Sequence, residues 1–307
     1  MIRVFIDGNA GTTGLRIHER LEGRRDMELI HVPDELRKDP TARREALSKS
    51  DIAFLCLPDD AAKESAMLAE GMNVRIIDTS TAHRTAPGWI YGFPEISGLR
   101  EKIVSANRVA NPGCHASGFL VLVAPLVKEG LIAKETALVC FSITGYTGGG
   151  KKMIASYEEG NRLNFLDAPR QYGLTQTHKH LKEMSYISGL EVDPVFCPVV
   201  SDFPCGMEVT VPLFAKDIRG TKRDIEEMYS TLYNGPVVQY FADCSEDGFL
   251  TANALSGSDG MQVTVAGNNE RILLISRFDN LGKGASGAAV QNMNLMIGLP
   301  ETTGLVL

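Results

Sequence analysis

The sequence predicts an α/β protein of two parts: an N-terminal doubly wound, Rossmann-type dinucleotide domain, and an α+β catalytic domain with a mixed or mainly antiparallel sheet. Strand and helix signals alternate over residues 1–80, and a glycine-rich turn follows the first strand. Beyond Cys114, strand-like runs are separated by longer loops and few helical stretches. Residues 2–6 form a β-branched apolar run, 15–21 a helical stretch, 27–32 a second strand and 41–47 a second helix. A third strand over 52–57 is apolar throughout and stops at Pro58; 61–69 is helical and 74–77 is a fourth strand. Strands this rich in Val, Ile and Leu, joined by helices, belong to a parallel sheet covered on both faces. Farther on, strands are expected over 136–143, 195–200, 207–214, 261–266 and 271–276, and a last helix over 285–299 with Gly282, Gly284 and Gly287 at its start.

At 307 residues and 44% hydrophobic composition the chain can bury two sizeable cores. A net charge of −7 without a Lys/Arg block argues against a nucleic-acid partner, while a few local cations would suffice for an anionic substrate. The N-terminus enters a strand with no signal-peptide pattern, and no apolar run approaches the roughly 20 residues of a membrane span, so no membrane partner and a cytoplasmic location are expected. Six cysteines lie scattered without a CxxC pair or metal-ligand spacing, which suits a reducing compartment, no bound metal and a reactive thiol.

Strand one runs into Asp7-Gly8-Asn9-Ala10-Gly11-Thr12-Thr13-Gly14. Gly8 permits the tight turn, Gly11 lets backbone approach a pyrophosphate, and Gly14 lets the helix close on the sheet with its N-terminus toward the anion. Asp34 and Glu35 lie about 20 residues past this loop, where a ribose-binding carboxylate of an NAD site belongs; Arg37 and Lys38 could equally meet a 2′-phosphate, so these residues leave NAD and NADP open. In Asn111-Pro112-Gly113-Cys114-His115, the turn formed by Pro112 and Gly113 puts Cys114 at the head of a helix over 118–127, where backbone N–H groups favour a thiolate. His178 and His180, on a loop with Tyr172, offer imidazole for proton transfer. His115 is expected to be structural, because adjacent side chains tend to point apart. The glycine-rich stretch 141–152, ending in Lys151 and Lys152, reads either as a flap over ligand or as a plain turn.

Six stretches together resemble the short form of the N-acetyl-γ-glutamyl-phosphate reductases, relatives of aspartate-semialdehyde dehydrogenase. They are Gly8 to Gly14, Asp78 to Arg84, Tyr91 to Glu95, Asn111 to Ser117, His178 to Glu183, and Asp279 to Gly287. The resemblance implies NADP-linked reduction of a small acyl phosphate, N-acetyl-γ-glutamyl phosphate, to the semialdehyde in arginine biosynthesis. It implies Cys114 as nucleophile and His178 as the catalytic imidazole, with Ser80, Arg84, Asn111, Tyr172 and His180 toward the substrate. Gly8, Gly11, Thr12, Thr13, Gly14, Pro58 and Asn280 are implied for the cofactor. The family's His-Arg-His-x-Pro-Glu motif stands here with Lys179 for Arg and Lys182 for Pro. A cofactor domain of residues 1–113 and 284–307, a catalytic and oligomerisation domain of 114–283, and a homodimer or homotetramer follow from the same resemblance. The alternatives are a sister reductase of an aspartyl or aminoadipyl phosphate, a cysteine acyl hydrolase, which would need no dinucleotide, and a dinucleotide sensor, which would need no reactive thiol.

Overall fold

The computed structural model describes residues 1–9 and 11–307, and the chain divides into two compact units. The first comprises Met1–Pro94, Gly98–Pro112 and Ala285–Leu305; the second comprises Glu95–Ser97, Gly113–Gly284 and Val306–Leu307. Relative to the division drawn from sequence, 95–97, Gly113, Gly284 and the last two residues count with the second unit.

The first unit begins with β1 (Ile2–Asp7), α1 (Thr12–Leu21), β2 (Met27–Ile30), α2 (Pro40–Lys49), β3 (Ile52–Leu55), α3 (Asp59–Leu68) and β4 (Arg75–Asp78). It continues through β5 (Ile90–Tyr91), α4 (Arg100–Ser105) and β6 (Arg108–Ala110). Among the described residues its strands form a six-stranded sheet in the order β2-β1-β3-β4-β6-β5, parallel throughout. One face packs Val4, Ile6, Phe54 and Ile77 against Ile17, Leu21 and Met293; the other packs Phe5, Leu55 and Ile76 against Ala46, Leu47 and Ala62. This is why β3 is apolar at every position. At the end of β1 the buried Asp7 carboxylate accepts from Arg43 Nε at 3.0 Å and Ser65 Oγ at 2.6 Å, fixing α2 and α3 to the strand that carries the glycine loop.

The second unit holds α5 (Cys114–Lys128), β7 (Val139–Gly145), α6 (Gly150–Glu158), β8 (Arg170–Gln171), α7 (Leu181–Ser188), β9 (Val195–Ser201) and β10 (Met207–Phe214), then α8 (Lys222–Leu232), β11 (Val238–Tyr240), β12 (Met261–Gly267) and β13 (Arg271–Phe278). The strands form one mixed sheet in the order β11-β12-β13-β10-β7-β9-β8, parallel at β11/β12 and β7/β9 and antiparallel elsewhere. A π-helical turn over Gly282–Ser286 then leads into α9 (Gly287–Met296), which belongs to the first unit.

The second unit departs from its sequence reading in helix content. α6, α7 and α8 were not foreseen, although Thr221 and Asp224 form a capping box at the head of α8 that is visible in the sequence. The glycine-rich stretch 141–152 resolves into the end of β7, a 3₁₀ turn and the start of α6, so it is a built strand-to-helix connection. α5 begins at Cys114 itself and is buried around nearly its whole circumference. Pro125 inside α5 has no N–H for the carbonyl of Val121, and the Tyr233 hydroxyl from beyond α8 donates to that oxygen; Tyr229 donates to Leu122 O.

Candidate active site

Cys114 is the first residue of α5, with Gly113 as the N-cap in extended backbone. The first backbone N–H groups of a helix have no partner within it, and the aligned peptide dipoles favour a negative group there. One donor at this end is taken from inside the protein: Gly113 N–H donates to Glu183 Oε1 at 2.8 Å, and Glu183 on α7 is only 2% exposed. That bond ties the thiol's helix to the element that follows His178 and His180. Gly284 is required beside the thiol, since a Cβ there would stand 3.0 Å from the Cys114 Cβ and 3.1 Å from Asp279 O.

Three imidazoles gather in this unit. His115 lies with its ring centroid 5.9 Å from His178 and 5.6 Å from His180, with Phe196 at 5.2 Å. Both His115 nitrogens are engaged, Nδ1 with Ser142 Oγ at 2.6 Å and Nε2 with Tyr172 OH at 2.5 Å. Burial, aided by the charge of His178, pushes His115 down to about 3, so it is a neutral, structural ring at ordinary pH. Burial and then the charge of Cys114 raise Tyr172, which stays a phenol. His178 is partly exposed, and its Nδ1 accepts the backbone N–H of His180 at 3.2 Å. A neutral His178 therefore carries its proton on Nε2. His180 is buried and stands at the N-cap position of α7, its ring making no capping bond.

The remaining sequence candidates fall in three other places. In the first unit Gly8 has φ +93°, and a Cβ on Gly14 would lie 2.4 Å from Gly8 O, so neither tolerates a side chain. Gly11, the N-cap of α1, is different: a Cβ there would meet only Gly8 O at 3.6 Å and Cys56 O at 3.8 Å. Its missing side chain leaves room in front of the helix end where Thr12 and Thr13 begin α1, the arrangement a pyrophosphate needs. Pro58 starts α3 at the carboxyl end of β3. Asp78, buried at the end of β4, accepts from Ser80 N and Oγ and engages His83 Nδ1 at 2.6 Å. Arg84 is buried and donates from Nε to Asn111 O at 2.9 Å and from Nη2 to Thr79 O at 3.1 Å. Asn111 donates from Nδ2 to Ala285 O and accepts from Asn292. Ser80, Arg84 and Asn111 thus form one cluster. Asn280 lies in the second unit, where its amide accepts from Gly206 N and donates to Thr147 Oγ1. Sequence reasoning gave Glu183 no role; only its place in the stretch from His178 to Glu183 marked it.

A glycine-rich strand–loop–helix in one unit, and a helix-heading thiol together with a group of three imidazoles in the other, accord with a semialdehyde dehydrogenase, the class to which the chain belongs. The semialdehyde dehydrogenase dimerisation-domain model matches residues 114–280, and the NAD-binding-domain model of the same class matches 33–106. The fold is shared with aspartate semialdehyde dehydrogenase II of Vibrio cholerae complexed with ASA, at TM-score 0.71 and 17% identity over 97% of this chain and 98% of that one. It is shared equally with the Francisella tularensis aspartate semialdehyde dehydrogenase, at TM-score 0.71, 16% identity, and 95% and 99% coverage. In sequence the chain is 46% identical to N-acetyl-γ-glutamyl-phosphate reductase 2 of Nostoc sp. over 318 residues, covering 99% of each, and 45% identical to the N-acetyl-γ-glutamyl-phosphate reductase of Brucella ovis over 307 residues, covering 96% of this chain and 99% of that one. The chain belongs to the N-acetyl-γ-glutamyl-phosphate reductase family.

Proposed function

We propose that the chain reduces N-acetyl-γ-glutamyl phosphate to N-acetyl-L-glutamate 5-semialdehyde with release of inorganic phosphate, using NADPH, in the cytoplasm. The observation that carries this reading is identity of 45–46% over nearly the full length with proteins named for that reaction. The geometry supports an assignment of the groups. Cys114 thiolate, favoured at the head of α5, attacks the acyl carbon; the bond to the phosphate oxygen breaks, phosphate leaves, and a thioester remains on Sγ. NADPH, when bound, supplies the hydride that reduces this thioester. The carbon–sulfur bond then breaks, the aldehyde departs and the thiolate is restored. Oxygen becomes negative at both tetrahedral stages, and His178, with its proton on Nε2, is the donor suited to that oxygen. Tyr172, kept protonated, and His115, kept neutral, hold the shape around the thiol without adding charge.

Gly8, Gly11 and Gly14 with Thr12, Thr13 and Pro58 are the groups proposed to hold the dinucleotide, and the space in front of Gly11 is the feature that fits it. The bonds Ser80 and Arg84 already make support a role in shaping the substrate's surroundings through Asn111, while the internal bonds of Asn280 support a loop-tying one. The chain is further proposed to act as a homodimer or homotetramer. β7, β9, β10 and β13 present Val139, Phe141, Val195, Phe214 and Leu273 on one face by their register, all of them exposed, which is an apolar surface suited to a second copy. Phosphate-dependent reduction of NADP with N-acetylglutamate semialdehyde tests the activity. No turnover with it, but turnover with aspartate semialdehyde or a shorter analogue, would transfer the chain to a sister reductase.

A further inference from the structure

A cavity of about 370 Å³ opens in the second unit beside α6, lined among others by Lys152, Met153, Tyr157, Leu163, Phe165 and Arg170. Three features distinguish it from a surface dimple. Tyr157 is 4% exposed, and its buried hydroxyl has no hydrogen-bond partner among the described residues. A phenol buried in that way leaves a hydrogen bond unmade, and a ligand oxygen that displaced the side chains covering it would supply one. Lys152 and Arg170 form no ion pair with any described residue, although the chain carries a net −7; the Arg170 guanidinium sits instead over the Phe165 ring at 5.0 Å. Leu163 and Phe165 are more than half exposed at the mouth, so an apolar body entering there would be covered on both sides. The open sheet face that suits a second copy lies on other strands, and a concave, cation-bearing pocket fits a small ligand better than a flat protein surface.

We propose that this pocket binds a small carboxylate with an apolar, ring-bearing tail, the anion held by Lys152 and Arg170, the tail lying between Leu163, Phe165 and Met153, and Tyr157 donating its hydroxyl. The site is separate from the thiol, yet not independent of it. Tyr157 belongs to a buried cluster with Tyr146, Leu166 and Val200, and Tyr172, the partner of His115, packs against that cluster. An occupant would therefore bear on the wall that holds Tyr172.

The test is calorimetric titration of the full chain with 3-phenylpropionate, with 3-phenylpropylamine as the charge-reversed control. A dissociation constant of about 1 mM is expected for the acid, from the usual affinity per atom of ligands this size, and none measurable for the amine. Arg170→Gln should weaken the acid about tenfold, the loss of one charge-assisted hydrogen bond, and Tyr157→Phe severalfold, both with turnover unchanged. Carboxamidomethylation of Cys114 should leave the binding intact. No heat with the acid up to about 10 mM, equal binding of the amine, unchanged affinity in both variants, or loss of binding on alkylating Cys114 would each overturn the proposal. Variants that change the sedimentation coefficient of a chain that binds no probe would give the pocket to a second copy.

Discussion

His115 gives the prediction whose size follows most directly from the structure. Its imidazole titrates near 6.5 in the unfolded chain and at about 3 when buried between Ser142 and Tyr172. Between those values the unfolded chain binds the additional proton, so folding stability that is complete above 6.5 falls as the pH is lowered. Each pH unit below that point removes about 1.4 kcal/mol, hence about 2 kcal/mol by pH 5. In His115→Gln this component is absent, although the variant starts less stable because the bonds to Ser142 and Tyr172 are altered. Urea denaturation followed by circular dichroism at pH 7 and pH 5 should show the wild type losing about 2 kcal/mol more than the variant over that interval. Parallel losses in the two proteins would mean that His115 is protonated in the folded state, and the neutral scaffold drawn around the thiol would be wrong.

The other predictions concern the nucleotide loop, the imidazoles and Glu183. Gly11→Val should fold normally, since its backbone is extended and its Cβ space is open, yet raise the NADP dissociation constant at least about tenfold; Gly14→Ala, driven into Gly8 O at 2.4 Å, should instead cost about 1–3 kcal/mol of stability. Calorimetry and thermal melts on the two variants separate these effects. His178→Asn should lower kcat by about 10²–10⁴ with much less change in KM, whereas His180→Asn, altering a buried ring packed beside His115, should act mainly on stability; the larger kcat loss at His180 would move the proton-transfer role two residues along. Glu183→Gln keeps an oxygen acceptor for Gly113 and should retain most of the rate of Cys114 alkylation, while Glu183→Ala, leaving that N–H buried without its acceptor at a cost of about 1–3 kcal/mol, should lose it. Equal alkylation rates in both would show that Glu183 does not position the thiol.

What the sequence revealed is what its local chemistry encodes. The glycines at 8 and 14 announce a strand–loop–helix because each answers a nearby steric demand, with Gly11 between them leaving the helix end open, and Pro112-Gly113 announces the helix head at Cys114 because a turn must precede it. His115 was read as structural from its neighbour position; what holds it is a pair of bonds to Ser142 and Tyr172, far along the chain and invisible to that reasoning. Glu183 escaped for the same reason, since its bond to Gly113 spans 70 residues. So did the repair of the Pro125 gap in α5 by Tyr233, 112 residues from the carbonyl it serves. The stretch 141–152 was left open between a flap and a turn because three consecutive glycines hide a helix start, whereas Gly150 uses its φ of +74° to begin α6.

The central claim is that the acyl group passes through Cys114. Mixing the protein with N-acetyl-γ-glutamyl phosphate in the absence of NADPH, quenching in acid and mapping peptides by mass spectrometry tests it. The account predicts one equivalent of phosphate released, an N-acetylglutamyl adduct on the peptide bearing Cys114, and disappearance of the adduct when NADPH is added before the quench. Phosphate release with the Cys114 peptide unmodified, or an adduct on another cysteine, would contradict it.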